Sequence, residues 1–159
     1  MKLNQATDYA FRMVLHMSLL PQGTKITGGE LAKAQNIPDR FLLKIMRNLI
    51  AGDIIKSYRG VDGGFALNRE PKDITLLDVV EAVEGVTYLQ RCLYDSASCS
   101  RGCHGHCSVQ EAFAGIQAKL VRDMKAIDFA TLAQRERDIH TNPSTCPHHN
   151  PQTSQVQDA

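Results

Sequence analysis

Thr27-Gly28-Gly29-Glu30-Leu31-Ala32-Lys33-Ala34-Gln35-Asn36-Ile37-Pro38-Asp39-Arg40-Phe41-Leu42-Leu43-Lys44-Ile45-Met46-Arg47-Asn48-Leu49-Ile50-Ala51-Gly52 is the stretch that decides the fold. Thr27 with Glu30 is a capping box, in which hydroxyl and carboxylate satisfy the unpaired amides of a first helical turn. The short helix that follows turns Leu31 and Ala34 inward and stops near Asn36. Pro38 suits the start of a second helix, where its missing N–H removes nothing. Phe41, Leu42, Ile45, Met46, Leu49 and Ile50 form the buried stripe of that helix, and Gly52 closes it. Arg40, Lys44 and Arg47 share the opposite face. Helix, tight turn and helix with a cationic outer face is the pattern of a helix-turn-helix reader of DNA.

Immediately downstream, 53–59 and 65–68 read as two strands joined by Gly60-Val61-Asp62-Gly63-Gly64. Alone they would be an ordinary surface hairpin; behind this helix pair they are predicted to form a wing, with Arg59 at its tip able to enter a minor groove. Upstream, Tyr9, Ala10, Met13, Val14, Met17 and Leu20 recur at helical spacing, so a first amphipathic helix spans about 6–20 and ends at Pro21-Gln22-Gly23. Thr75 with Asp78 caps a further helix, 76–84, ended by Gly85.

From Ser108 onward, Val109, Phe113, Ile116, Leu120, Met124 and Ile127 alternate at steps of four and three, the seam of a helix that packs along another helix. One helix from Ser108 to Arg137 would extend ~45 Å, more than so small a domain needs. A second copy is its simplest partner, giving a two-fold homodimer; packing within one subunit is the alternative. The expected fold class is therefore mainly α with a small β-hairpin wing, a winged helix-turn-helix plus a long dimerisation helix. The predicted units are a DNA-binding domain over 1–72, a cysteine-rich loop and dimerisation helix over 73–138, and a disordered tail over 139–159. Cys146, His148 and His149 in that tail lack a second half of a metal site nearby.

With 43% hydrophobic and 22% charged residues in 159, the chain can bury a core without disulfides. Its net charge of +1 hides an asymmetry: 1–72 holds 11 Lys and Arg against 6 Asp and Glu, and the remainder 7 against 11. The first half therefore carries the cationic surface. The apolar run 13–20 is too short to span a membrane and no cleavage site follows it, which places the protein in the cytoplasm. No nucleophile with a partnering base, phosphate-binding glycine loop or dinucleotide fingerprint is present, so an enzyme is not expected.

Cys92, Cys99, Cys103 and Cys107 are separated by six, three and three residues. In a reducing compartment such a group points to metal binding or redox chemistry. Zinc usually takes ligands paired two to four residues apart, which only Cys99, Cys103 and Cys107 satisfy. The more distant Cys92 leans toward an iron-sulfur cluster. Spacing alone leaves both open.

The opening Met1-Lys2-Leu3 through Thr7-Asp8-Tyr9-Ala10, the wing 59–67, the run 74–85 and the cysteines after it resemble the IscR, NsrR and RirA regulators. The resemblance runs in order from Met1 to about Ala133. It implies a winged-helix homodimer on double-stranded DNA with a palindromic operator, carrying a [2Fe-2S] or [4Fe-4S] cluster on three loop cysteines. It maps the first and last ligands to Cys92 and Cys107, and the middle one to Cys99, with Cys103 as the alternative. IscR-like proteins have a histidine three residues after the last cysteine, where this chain has Gln110. NsrR-like proteins have an aspartate in the first helix, matched by Asp8, which would come from the other subunit. The plain reading of Asp8 is an ion pair with Arg12 one turn on.

The function these features imply is transcriptional regulation, chiefly repression, switched by a cluster that senses nitric oxide, redox state or iron-sulfur status. Arg40, Lys44 and Arg47 would face the major groove with Asp39 accepting from a cytosine amino group. Tyr58 and Arg59 would serve the wing, and Lys25 and Thr27 the DNA backbone. The alternatives are a winged-helix regulator that uses zinc or thiols without a cluster and, in a different class, an iron-sulfur redox or carrier protein.

Overall fold

The computed structural model describes residues 3–60, 63–86, 88–103 and 106–141. Six helices and one hairpin follow in the order α1 (Gln5–Leu19), α2 (Gly28–Gln35), α3 (Asp39–Ala51), β1 (Ile55–Tyr58), β2 (Gly64–Leu67), α4 (Leu76–Glu84), α5 (Ser108–Lys125) and α6 (Phe129–Thr141). The mainly helical winged architecture expected from sequence is present. Asn4 caps α1 through its side chain, and Thr27 and Thr75 close full capping boxes with Glu30 and Asp78. Asn36 ends α2 in the left-handed region at φ 49°.

The core sits where α1, α2, α3 and α4 converge, with Met13, Val14, Leu31, Ile45, Leu49, Ile54, Ile74 and Val79 fully buried. Two expectations about inward-facing residues change. In α2 it is Ala32, not Ala34, that accompanies Leu31 inward, because a helix this short turns only one edge to the core. Ile50 is 38% exposed, since the α3 stripe narrows to Leu42, Ile45, Met46 and Leu49. Gly52 has φ −81°, so it is not needed for a left-handed turn; a Cβ there would lie 2.7 Å from the Ala82 Cβ. Glycine is required because α3 and α4 touch.

In the wing, Ile55 pairs with Leu67 and Tyr58 with Gly64 in antiparallel register. Ile26 extends this hairpin: its N–H donates to the Phe65 carbonyl at 2.9 Å and its carbonyl accepts from the Phe65 N–H at 2.8 Å. A Cβ on Gly64 would stand 2.9 Å from the Ile26 carbonyl oxygen, so this pairing demands glycine. The wing is thereby bolted to the segment that leads into α2. Val61 and Asp62 of its turn lie outside the described residues.

The single helix expected over 108–137 is instead two. Asp128 starts α6 as a cap, accepting from the Thr131 N–H at 2.8 Å and the Thr131 hydroxyl at 3.0 Å. The linker is held as extended chain against Thr75, with the Leu76 N–H donating to the Ile127 carbonyl and the Phe129 N–H to the Ile74 carbonyl. Phe129 enters the core beside Phe11, and α6 lies on α1. A continuous helix would have left Phe129 outside; burying such a ring outweighs the hydrogen bonds lost at the break. The remaining α5 is about 27 Å long. The α6 helix continues to Thr141, past the start predicted for the tail, and 142–159, including Cys146, His148 and His149, lie outside the described residues.

Candidate functional site

Two separate groups of residues carry chemistry. The first is the cationic surface of α3 and the wing. Asp39, Arg40, Lys44 and Arg47 all project from the exposed face of α3. Arg40 lays its guanidinium 5.1 Å from the centre of the Phe41 ring, which holds an otherwise mobile cation close to its helix. Leu43 is 65% exposed on this same face, among the cations. The apolar periodicity passed over it because its neighbour Leu42 already fills the core position.

On the wing, the half-buried Tyr58 ring gathers two cations, with Lys25 Nζ 4.6 Å and Lys56 Nζ 5.7 Å from its centre. Lys25 reaches Tyr58 because Ile26 is paired to β2. Lys56 was not singled out in the sequence, although its place on the outer side of a two-residue alternation was available. Arg59 is exposed at the start of the turn. The Thr27 hydroxyl is committed to its cap, donating to Glu30 Oε2 at 2.7 Å and accepting from the Glu30 N–H at 3.2 Å. Those bonds from Thr27 hold the Glu30 carboxyl below the usual carboxylate range.

The second group is the cysteine loop between α4 and α5. A cavity of about 360 Å³ is lined by Cys92, Cys99 and Cys107 together with Gln90, Arg91, Arg101 and Gln110. Cys103 is not part of this lining; its thiol reaches toward the Arg101 carbonyl, at 3.9 Å. The four thiols are all half-buried and form no disulfide with one another. Cys92, Cys99 and Cys107 surround a space instead of closing on a point: among the described residues no three His, Cys, Asp or Glu side chains stand close enough to hold a single metal ion. Gln90 Oε1, in the same lining, is buried without a hydrogen-bond partner.

Gln110 stands in the first turn of α5 and donates through Nε2 to the Cys92 carbonyl at 2.7 Å. Two turns on, Gln117 Oε1 accepts from the Leu89 N–H at 2.9 Å. The start of the loop is anchored on the other side as well: Glu84, last residue of α4, accepts from the Asn4 N–H and the Thr7 hydroxyl at the head of α1. Asp8, in that same turn of α1, pairs with Arg12, both about half exposed, and within one chain it does not line the cavity. The Asp8–Arg12 pair follows from its spacing in the sequence; the other ties carry no sequence signature, because each joins residues 18 to 80 positions apart.

Helix α5 itself has no buried residue. Val109, Phe113 and Ile116 are 51%, 36% and 55% exposed, whereas Leu120, Val121 and Met124 turn toward Leu77 and Val80 of α4. Among the described residues no helix is long and apolar enough to cross a membrane.

The model of the Rrf2 family, described as an iron-dependent transcriptional regulator, matches residues 3–135. The HTH-type transcriptional regulator YffB of Lactococcus lactis is 28% identical over 136 residues, which cover 84% of this chain and 87% of that protein. An HTH-type transcriptional regulator of Mycobacterium tuberculosis is 33% identical over 85 residues, but that match spans only about half of either chain, 54% and 53%. Among solved structures, CymR, the global cysteine regulator of Bacillus subtilis, superposes with a TM-score of 0.67 at 19% identity, covering 85% of this chain and 98% of that one. IscR of T. potens gives 0.66 at 16% identity, covering 89% and 91%. At these identities the two structures speak for the fold.

Proposed function

This chain belongs to the Rrf2 family of transcriptional regulators, and from that premise we propose that it is a cytoplasmic homodimer that represses promoters in response to the state of an iron-sulfur cluster held in its cysteine loop. It is a regulator and not an enzyme. The observation that carries the cluster reading is the single cavity shared by Cys92, Cys99 and Cys107. Three thiolates would supply ligands, Arg91 and Arg101 would offset the negative charge of a thiolate-bound cluster, and the unpartnered Gln90 oxygen adds a further polar wall. A cavity of this breadth suits a group of several atoms better than one tetrahedral ion. When bound, such a cluster supplies a centre that reacts with nitric oxide or changes redox state.

Asp8 is the proposed fourth ligand, donated by the partner subunit. Its carboxylate oxygen is a hard and readily displaced ligand, so leaving Arg12 for the site would make dimer geometry depend on the occupied pocket. Val109, Phe113 and Ile116 provide the apolar stripe on α5 along which a second copy would pack.

On DNA, α3 would lie in the major groove of a palindromic operator. Arg40, Lys44 and Arg47 reach bases or phosphates, Asp39 accepts from cytosine N4, and Leu43 offers an apolar contact to a thymine methyl. Tyr58 holds Lys25 and Lys56 ready for phosphates beside Arg59, and Thr27 supports them through its cap. Since α4 touches α3 at Gly52 and Ala82 and ends at the cysteine loop, a change at the thiols has a short packed route to the reading helix.

Protein purified without oxygen tests this directly. It is expected to be brown, to contain iron and sulfide, and to bind a palindrome less tightly after nitric oxide treatment. A colourless protein with zinc or no metal that still responds to thiol oxidation would favour the second reading, a thiol-based regulator. That reading draws on Cys103, half-buried and outside the cavity.

A further inference from the structure

We infer that the space between α4 and α5 is a binding site for a small organic amine, whose apolar body the two helices enclose and whose ammonium group pairs with Glu81. The site shares no lining residue with the thiol cavity and does not rest on the cluster reading.

Leu77, Val80 and Glu81 stand at i, i+3 and i+4 and therefore share one face of α4. Opposite them, Leu120, Val121 and Met124 of α5 line the same cavity of about 280 Å³. Packed interiors leave few voids larger than a water molecule, so helix packing alone does not account for a space of this size. Val80 marks the difference: it is only 2% exposed, yet it lines this cavity and is not part of the main core. An apolar cavity of about 150 Å³ stays dry and takes up benzene. The larger space here has room for one ring with a short side chain, and the unbranched Met124 can adjust to its shape.

Glu81 sets the head group. It lines the cavity and is exposed at its rim, and among the described residues its carboxylate has no hydrogen bond or ion pair. No Lys, Arg or His is among the lining residues. A cation therefore complements the site and an anion is repelled. The exposed Val86 and Tyr88 extend the apolar wall at the mouth, where the Tyr88 ring lies 4.9 Å from that of Tyr94. Elsewhere on its surface α4 touches α3, at Ala82 beside Gly52 and through the Asn48 amide, which donates to the Val83 carbonyl at 3.5 Å. An occupant of the cavity is thus one helix away from the cationic face of α3.

The probes are benzylamine, its neutral analogue benzyl alcohol and its anionic analogue benzoate, each titrated into the full chain and followed by methyl NMR. Benzylamine is expected to saturate with about millimolar affinity, ordinary for so few atoms, and to shift the methyl signals of Leu77, Val80, Val121 and Met124. Benzyl alcohol is expected to bind roughly fivefold more weakly, the effect of a partly exposed ion pair, and benzoate more weakly still. Glu81→Gln should bring benzylamine down to the affinity of the alcohol and leave the alcohol unchanged. Val121→Phe, whose ring would fill the space, should abolish binding of both; if that variant does not fold, the substitution at the exposed Glu81 still decides. Failure of all three probes to bind, equal binding of amine and benzoate, or an unchanged amine affinity in Glu81→Gln would overturn the site. So would saturation seen only in an Ile116→Ser monomer, since a second copy would then be what fills the space.

Discussion

The winged domain and the segment formed by the cysteine loop with α5 are built on opposite terms. In the winged domain Leu31, Ile45, Leu49 and Val79 are fully buried, α1, α2 and α4 start on side-chain caps, and even Gly52 and Gly64 are dictated by close contacts. In the other region the helix has no fully buried residue, three large apolar side chains face outward, four thiols are half-buried and an amide oxygen lacks a partner. The first region is complete as one chain. The second presents an outward apolar stripe and a thiol-lined cavity, and changes there need not unfold the winged domain.

The sharpest way to break this contrast is to remove thiols. Replacing Cys92, Cys99 or Cys107 by Ser is expected to abolish the cluster absorption and bound iron of oxygen-free protein, whereas Cys103→Ser leaves both in place. Equal loss in all four variants would show that the cavity does not define the ligand set. Next comes stability. Leu49→Ala should lower the unfolding free energy by about 2–5 kcal/mol in a denaturant titration. Ile116→Ser on α5 should change the unfolding of the monomer by less than about 0.5 kcal/mol, while shifting sedimentation from dimer toward monomer.

A smaller effect concerns DNA. Lys56→Ala and Arg59→Ala are each expected to weaken binding alike across sequences and to reduce the slope of log K against log salt by about one. Leu43→Ala instead should erase the difference between operators carrying thymine and uracil at one position, if its contact is to the methyl group. The smallest is the α6 cap. Asp128→Ala should cost about 1 kcal/mol. The Thr131 backbone N–H, with its hydroxyl, holds the Asp128 carboxyl below its usual range, so its folded value lies under its unfolded one. Its contribution is then present above the ordinary aspartate range and lost as pH falls, so the difference between variant and wild type should vanish in acid.

How much of this was legible in the sequence follows the same division. Capping boxes, glycine turns and apolar periodicity are local signals, and they located α1 to α4 and the wing to within a residue or two. The break at Asp128 was missed because Met124 and Ile127 continue the helical step, while the force that bends the chain is burial of Phe129 against Phe11, 118 residues away. An aspartate three residues before a threonine was the available hint. The cysteines were legible as a group, yet their spacing does not separate Cys99 from Cys103; that Cys99 lines the cavity with Cys92 and Cys107 depends on how the loop folds. Gln110 was visible only as the absence of a histidine, and its bond to Cys92 depends on how the loop folds back.

The central claim is that events at the thiols are felt at the operator. Its most direct test is to recover the operator by selection from random DNA, then measure its affinity for cluster-loaded protein and for the same protein after chelation, without oxygen and at one salt concentration. The account predicts bound iron in the loaded form and at least about a fivefold difference in affinity between the two, the lower end of ordinary coupling between sites. Iron-free protein as purified, or identical affinities with and without iron, would contradict it.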